Sequence, residues 1–128
     1  MAFWVSAFLN AYNARGGNIL YINAESSGNN RVISPGQITD LGNCWVPWCF
    51  KESDFPFRHI EIIDMDTDRV LWYIWQQDNR PGQTTLVCAS RTGYEQPGPG
   101  IAGDAAVGKS YNLVIGPGDN DLKTTPPI

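Results

Sequence analysis

Basic residues are scarce in this chain. Nine Lys and Arg stand against thirteen Asp and Glu, with a single His, and the net charge is -4. A chain of this sign lacks the positive field that holds a phosphate backbone, and its Lys and Arg are scattered singly, so neither nucleic acid nor an anionic membrane surface is an expected partner. Long apolar runs are missing too: Asn, Asp, Arg or Gly interrupts each of them short of the ~20 residues a membrane-spanning segment takes. The stretch from Met1 to Tyr12 is apolar but has no basic start, and Asn10 stands where a continuous apolar region should run. It reads as part of the fold rather than as a signal peptide. With no N-x-Ser/Thr acceptor either, the simplest expectation is a cytoplasmic location, leaderless export being the alternative.

Cysteine and histidine are too few for most metal and nucleophile chemistry. Cys44 and Cys49 flank Trp45-Val46-Pro47-Trp48, and Cys88 stands alone. A zinc site built on the first two needs a second ligand pair, which one His and one remaining Cys supply poorly. Three partly buried thiols are therefore expected, with a Cys44–Cys49 disulfide after release as the alternative. His59 lies in Arg58-His59-Ile60-Glu61-Ile62, where strand alternation puts it on one face with Glu61. No Ser or Cys sits in the tight G-x-S-x-G turn that a hydrolytic triad uses, so this pair is read as a surface contact. Paired carboxylates of the glycosidase kind stay open, since their separation is a property of the fold.

What the chain does have is turns. Thirteen Gly and nine Pro recur in clusters such as Arg15-Gly16-Gly17-Asn18, Ser34-Pro35-Gly36-Gln37, Asp78-Asn79-Arg80-Pro81-Gly82 and Gly116-Pro117-Gly118-Asp119-Asn120. Between them lie short runs of β-branched and aromatic residues: 18–23, 31–33, 57–63, 70–75, 84–89 and 111–115. A chain of 128 residues fits one domain. Short strands at this spacing predict an all-β fold, a single antiparallel β-sandwich over 1–128, with a small barrel as the alternative. Phe57–Ile63 and Val70–Trp75 form the best-defined hairpin and are expected near the middle of a sheet. In the first segment Phe3, Val5 and Ala7 alternate as in a strand, which is preferred to the helical stripe Trp4, Ala7, Phe8 and Tyr12. The Gly- and Pro-rich stretch from Gly93 to Gly108 is too long for a tight turn and is expected to be a functional or packed loop.

Two motifs imitate ligand sites. Gly103-Asp104-Ala105-Ala106-Val107-Gly108-Lys109-Ser110 satisfies G-x-x-x-x-G-K-[ST] and resembles the phosphate loop of small GTPases. That chemistry needs a buried strand before the loop and a helix after it. Here Gln96-Pro97-Gly98-Pro99-Gly100 precedes it and Tyr111–Ile115 reads as a strand, so a chance match is expected and Lys109 is placed as a solvated charge at a strand entrance. Asp64, Asp66 and Asp68 have the spacing of a calcium loop, but Arg69 and Trp75 occupy the positions that want Gly and Glu. A polar hairpin turn is preferred there, calcium being the alternative.

The aromatic residues are in surplus: five Trp, five Tyr and five Phe. Most belong to the core. Trp45-Val46-Pro47-Trp48 differs, because Gly42, Asn43 and Pro47 mark its surroundings as loop, and an aromatic face beside amide and guanidinium groups is how a site grips a sugar. The expected ligand site is Asn43, Trp45, Trp48, Arg91 and Tyr94, without catalysis, metal or cofactor. The expected partner is a glycan or other neutral ligand, with homo-oligomerisation a further option. In outline (acidic, rich in Trp and Gly, short strands, no leader) the chain resembles small β-sandwich proteins such as fungal and bacterial lectins and the lipid-binding aegerolysins. The resemblance implies either a sugar-binding or a membrane-lipid- or partner-binding sandwich. A structural or storage role is the third expectation.

Overall fold

The computed structural model describes residues 6–78 and 85–127. Nine strands follow one another among them: β1 (Ala7–Asn13), β2 (Ile19–Asn23), β3 (Arg31–Ile33), β4 (Ile38–Trp45), β5 (Ile60–Asp64), β6 (Arg69–Gln77), β7 (Leu86–Ser90), β8 (Ser110–Ile115) and β9 (Leu122–Thr125). They build two sheets, β4-β1-β8-β9 and β3-β2-β5-β6-β7. Every pairing is antiparallel except β1 with β8. This is the sandwich that the strand spacing predicts, and not a closed barrel.

Alternation along the strands decides what is buried between the sheets. Phe8 and Ala11 of β1, Ile19 and Tyr21 of β2, Ile60 and Ile62 of β5, Ile74 of β6, and Leu113 and Ile115 of β8 form the main core. The β5–β6 hairpin does sit inside its sheet, pairing Ile60 with Ile74 and Ile62 with Trp72. A bulge between Ile62 and Ile63 shifts the register, so Val70 faces Ile63. The first half of the expected strand 57–63 is shorter than the alternation suggests. Phe57 belongs to a 3-10 turn, Glu52–Phe57, that carries Pro56.

That turn has a purpose in packing. Trp75 and Cys88 are cross-strand partners on the opposite face of the five-stranded sheet from Ile74, where water would otherwise reach them. Phe55 of the turn closes over them, its ring edge-on to Trp75 at 5.3 Å. Cys49, Phe55, Trp75 and Cys88 thus make a second, smaller core, with Tyr73 and Tyr94 packed against it. Gly98 lies so close that a Cβ there would meet Trp75 Cζ2 at 2.8 Å.

The long stretch from Gly93 to Gly108 is a packed loop. Ala89 donates to the Pro99 carbonyl, Ile101 to Val87, Val87 to Ala105 and Thr124 to Ala102. Residues 99–106 therefore cover the free edge of β7 and tie it to β9 in the other sheet, which hides two edges that would otherwise offer unpaired backbone groups. No helix among the described residues is long and apolar enough to cross a membrane.

Candidate functional site

One hollow on the surface grows from an irregularity in β4. Phe8 pairs with Cys44 and Asn10 with Asp40, so one residue on β1, Leu9, faces three on β4, Leu41, Gly42 and Asn43. The extra residues are taken up at Gly42 (φ 63°) and Asn43 (φ 60°), both left-handed. Gly and Asn are the residues that tolerate this conformation, and such bulges re-aim the side chains that follow. The sequence marks these two residues as loop; the structure puts them inside a strand, because the left-handed signal is the same in both settings. Leu41 and Cys44 on either side are buried, while Asn43 and Trp45 turn outward.

Asn43 and Trp45 line a hollow of about 250 Å³ together with Asn23, Glu25, Ser26 and Asn29. Trp45 is 63% exposed. Opposite it, Asn23 is a fixed strut: its carbonyl accepts from the Glu25 N–H at 3.0 Å, and its amide donates to Asn29 Oδ1 at 3.2 Å and to Cys44 Sγ at 3.4 Å. Asn29 in turn reaches the Leu41 carbonyl at 3.5 Å. Glu25 pairs loosely with Arg58 at 3.8 Å. The Asn43 amide makes no hydrogen bond among the described residues. The hollow thus presents one open indole face, amide donors and acceptors, a hydroxyl and a carboxylate.

Behind Trp45 the chain is pinned by Gln76, which is fully buried. Its side-chain amide donates to the Val46 carbonyl at 2.7 Å and its side-chain carbonyl accepts from the Ser6 N–H at 3.1 Å. Its backbone N–H donates to Pro47 O at 2.7 Å, and its carbonyl accepts from Cys49 N–H at 2.9 Å. The segment after β4 therefore crosses to the other sheet and occupies the flank of β6 that β5 leaves free beyond Ile74.

The five residues singled out from sequence do not lie in one hollow. Trp48 is half-buried and stacks on Phe50 at 5.5 Å with the rings near parallel. Arg91 donates to the Leu71 carbonyl at 3.0 Å and lies over the Trp72 ring at 5.8 Å. Tyr94 packs on the second core beside Cys49, at the far end of the Trp45–Cys49 stretch. Asn23, Glu25, Ser26 and Asn29 escape sequence reasoning because their contribution depends on a loop folding against β4. The cluster Asn23–Asn30, dense in Asn and Ser, is the signal that was there.

The groups of the remaining motifs are engaged within the fold. In the segment 103–110 the backbone N–H groups a phosphate loop needs are consumed locally: Asp104 donates to Thr124 Oγ1, Ala106 to the Asp104 carboxylate and Gly108 to Ser6 Oγ. β8 begins at Ser110, where that loop requires a helix, and Lys109 Nζ lies 3.1 Å from Asp104 Oδ2. In the hairpin turn after β5, Asp64 accepts from the Asp66 N–H at 2.9 Å and pairs with Arg15 at 3.2 Å. Burial alone would push its carboxyl up, but the backbone donors of Asp66 and Thr67 and the Arg15 charge outweigh it and hold it below the usual range. Asp68 is left-handed at φ 56°. His59 does share a face with Glu61, Nε2 to Oε1 at 2.9 Å, but it is buried and stacks on Phe55 at 4.6 Å. Cys44 lies in the main core and Cys49 in the second one. Trp4 lies outside the described residues.

No family model matches the chain, and no curated protein or solved structure compared with it matches.

Proposed function

We propose that this protein is a carbohydrate-binding β-sandwich without catalytic activity, whose site is the hollow between the β4 bulge and the loop after β2. The observation that carries the reading is Trp45: a 63% exposed indole that lines one hollow with Asn23, Asn29, Asn43, Glu25 and Ser26. A sugar ring has an apolar C–H face and an equatorial rim of hydroxyls, so it needs one aromatic plane and several directional polar groups at its edge. An uncharged ligand of that kind suits an acidic chain. The proposed contacts are Trp45 for stacking, the Asn43 amide and Glu25 carboxylate for hydroxyls, and the Asn23–Asn29 pair as the fixed wall. A shallow open hollow supplies weak affinity per site.

Glycan-array binding and titration of Trp fluorescence test it. Trp45→Ala is expected to abolish the array signal and Asn43→Gly, which keeps the left-handed backbone and removes the amide, to weaken it about tenfold, the loss of one or two hydrogen bonds, with circular dichroism unchanged. A flat array together with no fluorescence change for any simple sugar refutes the reading.

One observation favours a second reading. The run that follows Trp45 carries the stacked pair Trp48–Phe50, with Phe50 48% exposed, and Phe57 is 70% exposed. Aromatic side chains with a wet end and an apolar body suit a lipid interface. Sedimentation with neutral sphingolipid or sterol vesicles, uncompeted by free sugars, supports this reading over the first.

A further inference from the structure

A second hollow, of about 410 Å³, opens on the outer face of the five-stranded sheet. Its walls are aromatic. Phe55 touches Tyr73 at 5.7 Å with the planes inclined by 50°, and Tyr94 at 5.5 Å inclined by 56°. His59 stacks behind Phe55 and meets Tyr73 at 5.5 Å. Two carboxylates, Glu52 and Glu61, stand at the rim; neither Lys nor Arg lines the hollow, and the His59 that does is held between two acceptors, the Phe55 carbonyl and the Glu61 carboxylate, so Glu61 is engaged by it. The rings are braced from beneath: Trp75 meets Phe55 edge-on and Tyr94 at 5.7 Å, and the Tyr94 hydroxyl donates to Gln96 Oε1 at 2.8 Å.

Inclined aromatic faces with a carboxylate beside them carry negative potential from two sources. The π quadrupoles attract a cation over the ring faces, and the Glu52 carboxylate adds net charge. A neutral sugar gains little from this arrangement, because Glu61 is already engaged by His59. An anion is repelled. A strongly hydrated ammonium or metal ion gives up more hydration than rings return, whereas an alkylated ammonium spreads its charge over methyl groups that pack against the rings.

We infer that the hollow of Phe55, Tyr73, Tyr94, Glu52 and Glu61 is a binding site for a small organic cation bearing a quaternary ammonium group. It is separate from the proposed sugar hollow, with which it shares no lining residue. The aromatic walls supply contact and cation–π attraction, and Glu52 supplies long-range attraction from the exposed rim.

Calorimetric titration of the whole protein with choline, tetramethylammonium and free trimethyllysine tests this. The neutral isostere 3,3-dimethylbutan-1-ol is the control that has choline's shape without its charge. Saturable binding of at least one cation, with the isostere about tenfold weaker or worse, is expected. Tyr94→Leu, which keeps apolar volume and loses the ring, is expected to weaken the cation about tenfold, Tyr94→Phe to leave it nearly unchanged, and Glu52→Gln to weaken it a few-fold, more at low salt. Preference between choline and trimethyllysine tells a headgroup-like source from a modified side chain, and either one supports the site. No saturable binding of any cation, equal binding of the isostere, or full affinity in a folded Tyr94→Leu overturns it. The Trp45→Ala variant should bind the cation as wild type does, so failure here is distinguishable from failure of the sugar reading.

Discussion

Gln76→Glu puts a titratable group at the point where the two sheets are stitched together. The Gln side chain is fully buried, accepts from the Ser6 N–H and donates to the Val46 carbonyl. A protonated Glu of the same shape does both: its C=O accepts and its O–H donates. An ionised Glu has no donor, so it sets a carboxylate oxygen against the Val46 carbonyl and strands a charge away from water. The folded protein therefore favours the neutral form and raises that carboxyl above its unfolded value of about 4.3; buried Glu residues reach about 8–9. A raised folded pKa means that stability is fully present below about pH 4.3 and is lost as pH rises through the folded value. At about 1.4 kcal/mol per unit, the loss relative to wild type grows to roughly 4 kcal/mol at pH 7. Denaturant unfolding of variant and wild type at a series of pH values between about 4 and 8 measures the difference directly. Gln76→Met, with no proton to lose, should show a pH-independent difference. A flat difference for Gln76→Glu would refute the reasoning and mean that the side chain is hydrated. Trp45 follows the same segment, so sugar binding by the Glu variant should weaken over the same pH range.

Three further outcomes follow from the packing. Arg15 holds both Asp64 at 3.2 Å and Asp119 at 2.8 Å, so Arg15→Met should cost about 2–3 kcal/mol, between an exposed and a buried pair. The Arg15 and Arg69 hydrogen bonds hold the Asp119 carboxyl below its ordinary value of 3.8, so stability is present above about pH 4 and falls as pH drops through the folded value, a decline Arg15→Met should flatten in acid-unfolding curves. Burial, reinforced by Glu95, pushes the Cys88 thiol up to about 12, and burial also raises Cys44 and Cys49; at pH 8 a thiol reagent should find none of the three until denaturant opens the protein, and one prompt equivalent would contradict that packing. Gly103→Ala sets a Cβ 2.3 Å from the Thr124 carbonyl oxygen at φ +90° and should lower the melting temperature markedly, whereas Gly36→Ala, at φ +74° in open space, should cost only about 1 kcal/mol. Equal losses at the two glycines would count against the close approach at Thr124.

Strand identity was legible where alternation and β-branching agreed, as in β2, β3, β6 and β8. It failed where a residue type has two meanings. Gly42 and Asn43 signal a left-handed backbone, which a loop and a bulge use alike, so β4 was invisible. β9, Leu122–Thr125, is too short and polar to stand out, and it is a strand because β8 and residues 102–104 hold it. Phe57 read as the start of a strand, yet it sits in a 3-10 turn whose worth lies in bringing Phe55 over Trp75. Within the candidate site, the exposed Trp45 and the outward Asn43 followed from local signals. Their companions Asn23 and Asn29 did not, since only the pairing of the β2 loop with β4 brings them near. Arg91 and Tyr94 were grouped with them by residue type alone, and type carries no position.

The parallel pairing of β1 with β8 sets an order of events during synthesis. Ala7 lies beside Ser110 and Asn13 beside Ile115, so a strand that leaves the ribosome first waits for one made about a hundred residues later. Until then one side of β1 has no neighbour, and Phe8 and Ala11 lack the cover of Leu113. A nascent chain stalled before β8 holds the β5–β6 hairpin and the second core but only half of the other sheet, with a bare strand flank open to pairing with another chain. The sandwich closes only when β8 reaches back to β1, and until it does the open flank of β1 is where pairing with another chain would begin.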